Sequence, residues 1–125
     1  MLKPNVFHRI GAIAAVSVLM AAPFHARADY ACVVDVRGVL PYAGGMVNVL
    51  HSGRGDWTMI CSLDQTYTNG PASVSPNTCA MWTSLLLRAM KDNQKVEFWF
   101  PGTGSCAALG TYGSAAVPTY IGLRK

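Results

Sequence analysis

Only one stretch between residues 29 and 125 reads as a helix, and its place in the chain restricts the fold more than any other feature. Residues 74–90, V-S-P-N-T-C-A-M-W-T-S-L-L-L-R-A-M, open with Ser75 and Pro76, an N-cap followed by a first-turn proline. Trp82, Leu85, Leu86 and Ala89 fall at i, i+3, i+4 and i+7 and so share one face, with Cys79 one turn earlier. The opposite side carries Ala80, Ser84, Arg88 and Lys91, but also Leu87, with Met81 and Met90 on the flanks. A fully solvated face has no need of these apolar groups, so the helix is expected to be covered on one side and partly covered on the other.

Strand signals lie on both sides of this helix. Residues 29–40 are β-rich, with Cys32, Val34 and Val36 alternating against Val33, Asp35 and Arg37. A turn over 41–45 leads to a second strand at 46–51, and a glycine-rich reversal at 52–55 leads to a third at 56–63, with Trp57, Met59 and Cys61 assigned to one face. Residues 64–73 contain Asn69-Gly70-Pro71 and are expected to be an exposed loop. After the helix, 96–100 (V-E-F-W-F) is a short apolar strand, 106–109 extends or flanks it, and 119–123 is the last strand.

Three strands, one helix and two strands give a mainly β domain with one helix. A small five-stranded OB-fold-like barrel, in the order β-β-β-α-β-β, solves the edge-strand problem best for so few residues. Ferredoxin-like and other α+β sandwiches are the alternatives.

Residues 1–28 stand apart from this domain. Lys3 and Arg9 precede an apolar run at 10–22, and Ala26-Arg27-Ala28 supplies the small residues of a cleavage site, so 1–28 is expected to be a signal peptide and 29–125 the single domain. The run is short for a membrane span, so no membrane insertion is expected after cleavage. Without Lys3, Arg9 and Arg27, seven basic residues face six acidic ones, and the formal +4 of the whole chain falls to about +1. That is too little for the electrostatic footprint of nucleic-acid binding.

Cys32, Cys61, Cys79 and Cys106 all lie beyond residue 28, and four cysteines in an exported domain read as two disulfides. In a five-stranded barrel the first strand lies antiparallel to the fourth, which favours Cys32–Cys106 and Cys61–Cys79 over the other two connectivities. No two cysteines have C-x₂-C spacing and His51 is the only histidine after residue 28, so neither a metal nor a cofactor is expected.

Catalytic constellations are equally thin. His51 beside Ser52 lacks a third group to orient it and reads as an exposed strand-end residue, and the six acids are scattered. The chain is therefore not expected to be an enzyme. Arg54-Gly55-Asp56 spells an integrin-recognition tripeptide, but glycine turns with flanking charges are common. Trp82 and Trp99 are assigned to the core. Tyr67 and Tyr112, beside Thr66, Thr68, Asn69, Thr111 and Ser114, form a loop set suited to neutral ligands such as sugars, or are ordinary loop composition. Tyr67, Asn69 and Tyr112 are the candidate ligand-binding residues.

Cys61-Ser62 at a third-strand end, a tryptophan-bearing helix after a loop, Gln94-Lys95-Val96-Glu97-Phe98-Trp99 and a late Tyr120-Ile121-Gly122-Leu123 together resemble the B subunits of subtilase cytotoxin and typhoid toxin, within the pertussis-like toxin group. The resemblance covers residues 56–123. It implies an exported, disulfide-bonded OB-fold subunit that assembles into a homo-oligomeric pentameric ring, binds host glycans and delivers a toxin A subunit. In such rings the helices line the centre, which implies Leu87 at or near a subunit contact, with Arg88 and Lys91 toward the opening. The chain departs from the group in lacking the second-strand cysteine within 46–51, while Cys32 and Cys79 are additional. Sugar-contacting residues of the group have no position-by-position match, so none is carried over. The alternative function is a non-lectin exported protein, periplasmic or secreted, that acts as an inhibitor or envelope factor on the same fold.

Overall fold

The computed structural model describes residues 29–125, and the expected signal peptide, residues 1–28, lies outside them. The alternation read at the start of the domain holds in the structure. Cys32, Val34 and Val36 are buried while Val33, Asp35 and Arg37 are exposed. Yet this run is not one strand. It divides at Asp35 into β1 (Tyr30–Val34) and β2 (Val36–Pro41), which serve different sheets. Asp35 leaves the ladder because its backbone turns to Ser52: its N–H donates to Ser52 Oγ at 2.9 Å, and Ser52 N–H donates to its carbonyl at 3.0 Å.

β3 (Met46–His51) and β4 (Trp57–Ser62) continue from β2 as an antiparallel meander in the order β2-β3-β4. A bulge sets Val47 opposite Cys61 but Asn48 opposite Met59, so Ile60 is the additional residue. This corrects the single face expected for Trp57, Met59 and Cys61. Trp57 and Met59 remain half-buried, whereas Ile60 and Cys61 are both fully enclosed.

The expected loop at 64–73 holds a small hairpin of β5 (Tyr67–Thr68) and β6 (Ser73–Val74), clasped by a 2.7 Å contact between Thr68 Oγ1 and Ser73 Oγ. Helix α1 (Pro76–Lys91) follows, so Val74 belongs to a strand rather than to the helix. Ser75 Oγ accepts from Thr78 N–H at 3.3 Å, which satisfies one of the free amides of the first turn. At the other end Asn93 takes a left-handed conformation, φ 49°, and Gln94 N–H returns to the Ala89 carbonyl at 2.8 Å, the 6→1 bond of a Schellman end. Cys79, Trp82, Leu86 and Ala89 are the buried face, as the spacing predicts, with Leu85 half-buried beside them.

β7 (Lys95–Phe100) pairs antiparallel with β1 and with β8 (Tyr120–Arg124) to give the second sheet, β1-β7-β8. Residues 106–109 do not prolong β7. Cys106–Ala108 is a 3₁₀ turn. The core between the sheets and α1 is built from Val34, Val47, Val49, Ile60, Leu86, Val96, Phe98, Phe100 and Val117, with Cys32, Cys61 and Cys79 buried in it and Cys106 at its margin. Cys32 pairs with Cys106 and Cys61 with Cys79, the two pairs the strand order favours.

The fold is mainly β with one helix, but the ladders do not close the sheets into the expected five-stranded OB-fold-like barrel. Among the described residues eight strands form three sheets, and no ladder joins β4 to β8. The gap is crossed instead by one parallel bridge between Thr58 and Tyr112. Residues 101–118 carry Pro101, Gly102, Gly104, Gly110, Gly113 and Pro118, a composition that interrupts regular pairing.

Candidate functional site

The three residues assigned to a ligand, Tyr67, Asn69 and Tyr112, are brought to one region and largely turned to structural use. Asn69 Nδ2 donates to the carbonyls of Gly113 at 2.9 Å and Ala115 at 2.6 Å, which occupies both of its amide protons. Its own carbonyl accepts from Val117 N–H at 2.9 Å. The β5–β6 hairpin is thereby fastened to the segment that crosses the gap between the sheets. Tyr112 is in the left-handed region, φ 47°, where a bulky residue is uncommon. Its N–H donates to Trp57 O at 2.7 Å, and its carbonyl accepts from Met59 N–H at 3.1 Å, so two β4 groups hold it there. Tyr67 is half-buried against the core, and burial raises its phenol pKa. Of the three, Tyr112 alone is exposed as a large ring.

His51 is not the exposed strand-end residue the sequence suggests. It is 1 % exposed at the end of β3, where Nε2 meets Thr58 Oγ1 at 3.1 Å and the ring lies 5.4 Å from that of Phe98. Alternation explains the difference. Val47 and Val49 face inward, so the next residue in phase does too. Burial pushes the imidazole pKa down to about 4 from 6.5.

That depressed value makes stability depend on pH. Below pH 6.5 the unfolded chain takes up a proton that the folded one refuses until about pH 4, so stability present above pH 6.5 is lost on acidification. Between pH 6.5 and 5 the loss should be about 2 kcal/mol. Urea midpoints at pH 7 and pH 5 check this, and His51→Gln should flatten the difference.

Arg54-Gly55-Asp56 is likewise spent on the fold. Arg54 Nε donates to Leu109 O at 2.7 Å, and Asp56 Oδ1 accepts from Trp57 N–H at 2.7 Å. Gly55 supplies the positive φ, 73°, of the turn.

Two surfaces are left with unspent chemistry. The first is the outward stripe of α1. Leu87, 46 % exposed, lies in the stripe of Ala80, Ser84, Arg88 and Lys91, and Met81, 69 % exposed, lies on its flank. Arg88 makes a 3.5 Å ion pair with Asp92 one turn on, and both ends of that pair are well exposed, so it adds little stability.

The second surface is the outer face of β7 and β8, where Trp99 and Tyr120 stack with ring centroids 5.4 Å apart. The sequence assigns Trp99 to the core. It faces outward because Val96, Phe98 and Phe100 take the inward phase of β7. Strict alternation along V-E-F-W-F would have found this. Residue size alone points the other way.

Comparison with family models, curated proteins and solved structures returns no match for the chain. Among the described residues no three His, Cys, Asp or Glu side chains group as a metal site, and no helix is long and apolar enough to cross a membrane.

Proposed function

We propose that the protein is an exported, non-catalytic binding subunit that assembles with copies of itself through α1, on an OB-fold-like barrel, in the manner of the toxin B subunits its sequence resembles. The observation that carries this reading is Leu87 on the outward stripe with Met81 on its flank, both exposed although the opposite face of the same helix is committed to the core. Single exposed apolar residues are ordinary, but two long ones on the outward side of one rigid helix suit burial against another protein. Two disulfides and a formal charge near +1 after signal cleavage fit a protein that works outside the cytoplasm and does not rely on strong electrostatic capture. Host glycans are the proposed ligands and a toxin A subunit the proposed cargo, both by resemblance.

In this assembly Leu87 lies in the contact between copies, with Arg88 and Lys91 at its edge. Leu87→Glu is expected to convert the oligomer to monomer while leaving the melting temperature of each domain nearly unchanged, because the residue contributes little to its own core. Light scattering of wild type and variant at micromolar concentration checks both halves. A monomeric wild type would favour the other reading, an inhibitor or envelope factor that offers the same stripe to a different protein.

A further inference from the structure

The outward row of β7 and β8 holds an arrangement that neither the loop residues nor the helix stripe uses. Antiparallel register sets Trp99 opposite Tyr120, Glu97 opposite Gly122 and Lys95 opposite Arg124. Tyr120 is 46 % exposed and is backed by the indole of Trp99, their planes 24° apart. Arg124 Nε sits 3.0 Å from Glu97 Oε2, and the Glu97 side chain is only 14 % exposed. Gly122 stands between these groups, and a Cβ placed there would meet no atom within 4 Å.

The result is a notch with the Gly122 backbone as its floor, the Tyr120 ring at one end, Arg124 at the other and Glu97 beside it. Four residues along a strand span ~14 Å, so Tyr120 and Arg124 bracket Gly122 from its two sides along β8.

We propose that this notch binds a neutral pyranose. The aromatic ring offers a flat apolar surface to the C–H face of a sugar. The carboxylate and guanidinium supply an acceptor and a donor side by side, which is what a pair of neighbouring hydroxyls requires. The pair is neutral overall, and the neighbouring Lys95 is already joined to Asp35 at 2.8 Å, so the site has little net charge to attract an acidic ligand. Val33 and Ala31, opposite Glu97 and Trp99 on β1, extend the same face with small or apolar groups. The site deepens the glycan-binding reading and rests on it, but does not depend on assembly through α1.

Titration of the purified protein with methyl β-D-galactopyranoside, methyl α-D-glucopyranoside and methyl α-D-mannopyranoside at millimolar concentration tests the proposal, with the Trp99 indole N–H resonance as the readout and methyl β-D-glucuronide as the charged comparison. At least one neutral glycoside should give a saturable shift. Gly122→Val, whose Cβ meets no atom of the fold within 4 Å, should weaken binding at least tenfold at an unchanged melting temperature. Tyr120→Ala and Glu97→Gln should do the same. No shift with any of the three neutral glycosides, saturation by the glucuronide alone, or undiminished binding by Gly122→Val would each overturn the site. Binding to immobilised glycans that persists in Gly122→Val would overturn this notch and leave the broader glycan-binding reading standing.

Discussion

Removing the Cys32–Cys106 cross-link with Cys32→Ala and Cys106→Ala is expected to lower the unfolding free energy by about 4.5 kcal/mol, more than removal of Cys61–Cys79, at about 3 kcal/mol. The difference follows from what each bond denies the unfolded chain. The first closes a separation of 74 residues and the second one of 18, and the entropy withheld grows with the logarithm of that length. In the folded state the longer link ties β1 to the 3₁₀ turn that begins the crossing toward Tyr112. Its loss therefore loosens the segment that spans the gap between the sheets. A loss of about 4.5 kcal/mol is a large share of the roughly 5–15 kcal/mol by which a domain is stable. Urea unfolding of the two double variants beside wild type checks the order, and equal or reversed losses would contradict it.

Leu86→Ala should destabilise the domain by about 2–5 kcal/mol, whereas Ser84→Ala, two residues away, should change stability by less than about 0.5 kcal/mol. Leu86 is fully buried in the cluster with Trp82, Val96 and Phe98, so truncation removes apolar contact and leaves a space that the disulfide-anchored helix cannot easily close. Ser84 is exposed, and its hydroxyl only donates back to the Ala80 carbonyl at 3.0 Å. Thermal or urea unfolding of both variants measures the contrast. Two small and equal effects would mean that α1 does not pack by the face Cys79-Trp82-Leu86-Ala89.

The two surfaces proposed for function are separate in the fold and separate in their tests. Leu87 acts on α1, through assembly. Tyr120, Glu97 and Gly122 act on the outer face of β7 and β8, through a ligand. Asn69, a ligand-binding candidate, and His51 and Arg54, to which the sequence assigns no function, are held by contacts 44–46, 7 and 55 residues away along the chain. A polar or titratable residue in a glycine-rich stretch is as useful for fastening a long crossing segment as for meeting a ligand. The sequence offers no sign of which, because the partner atoms are mostly backbone carbonyls that any residue carries.

What the sequence determined by itself was local and periodic. Ser75-Pro76 set the helix start, the 3.6-residue spacing of Trp82, Leu86 and Ala89 set its buried face, and alternation at Cys32, Val34 and Val36 set the inward side of the first strand. These follow from backbone geometry and from neighbours within a few residues. Only the tertiary structure decided the rest. It placed a break at Asp35, an additional residue at Ile60 and a crossing loop where a closed barrel would need a ladder. It turned His51 inward and Trp99 outward. Strand periodicity gives two faces but does not say which is buried when both carry large apolar groups. That choice is made by the partner strand and by packing across the core, between residues far apart in the chain.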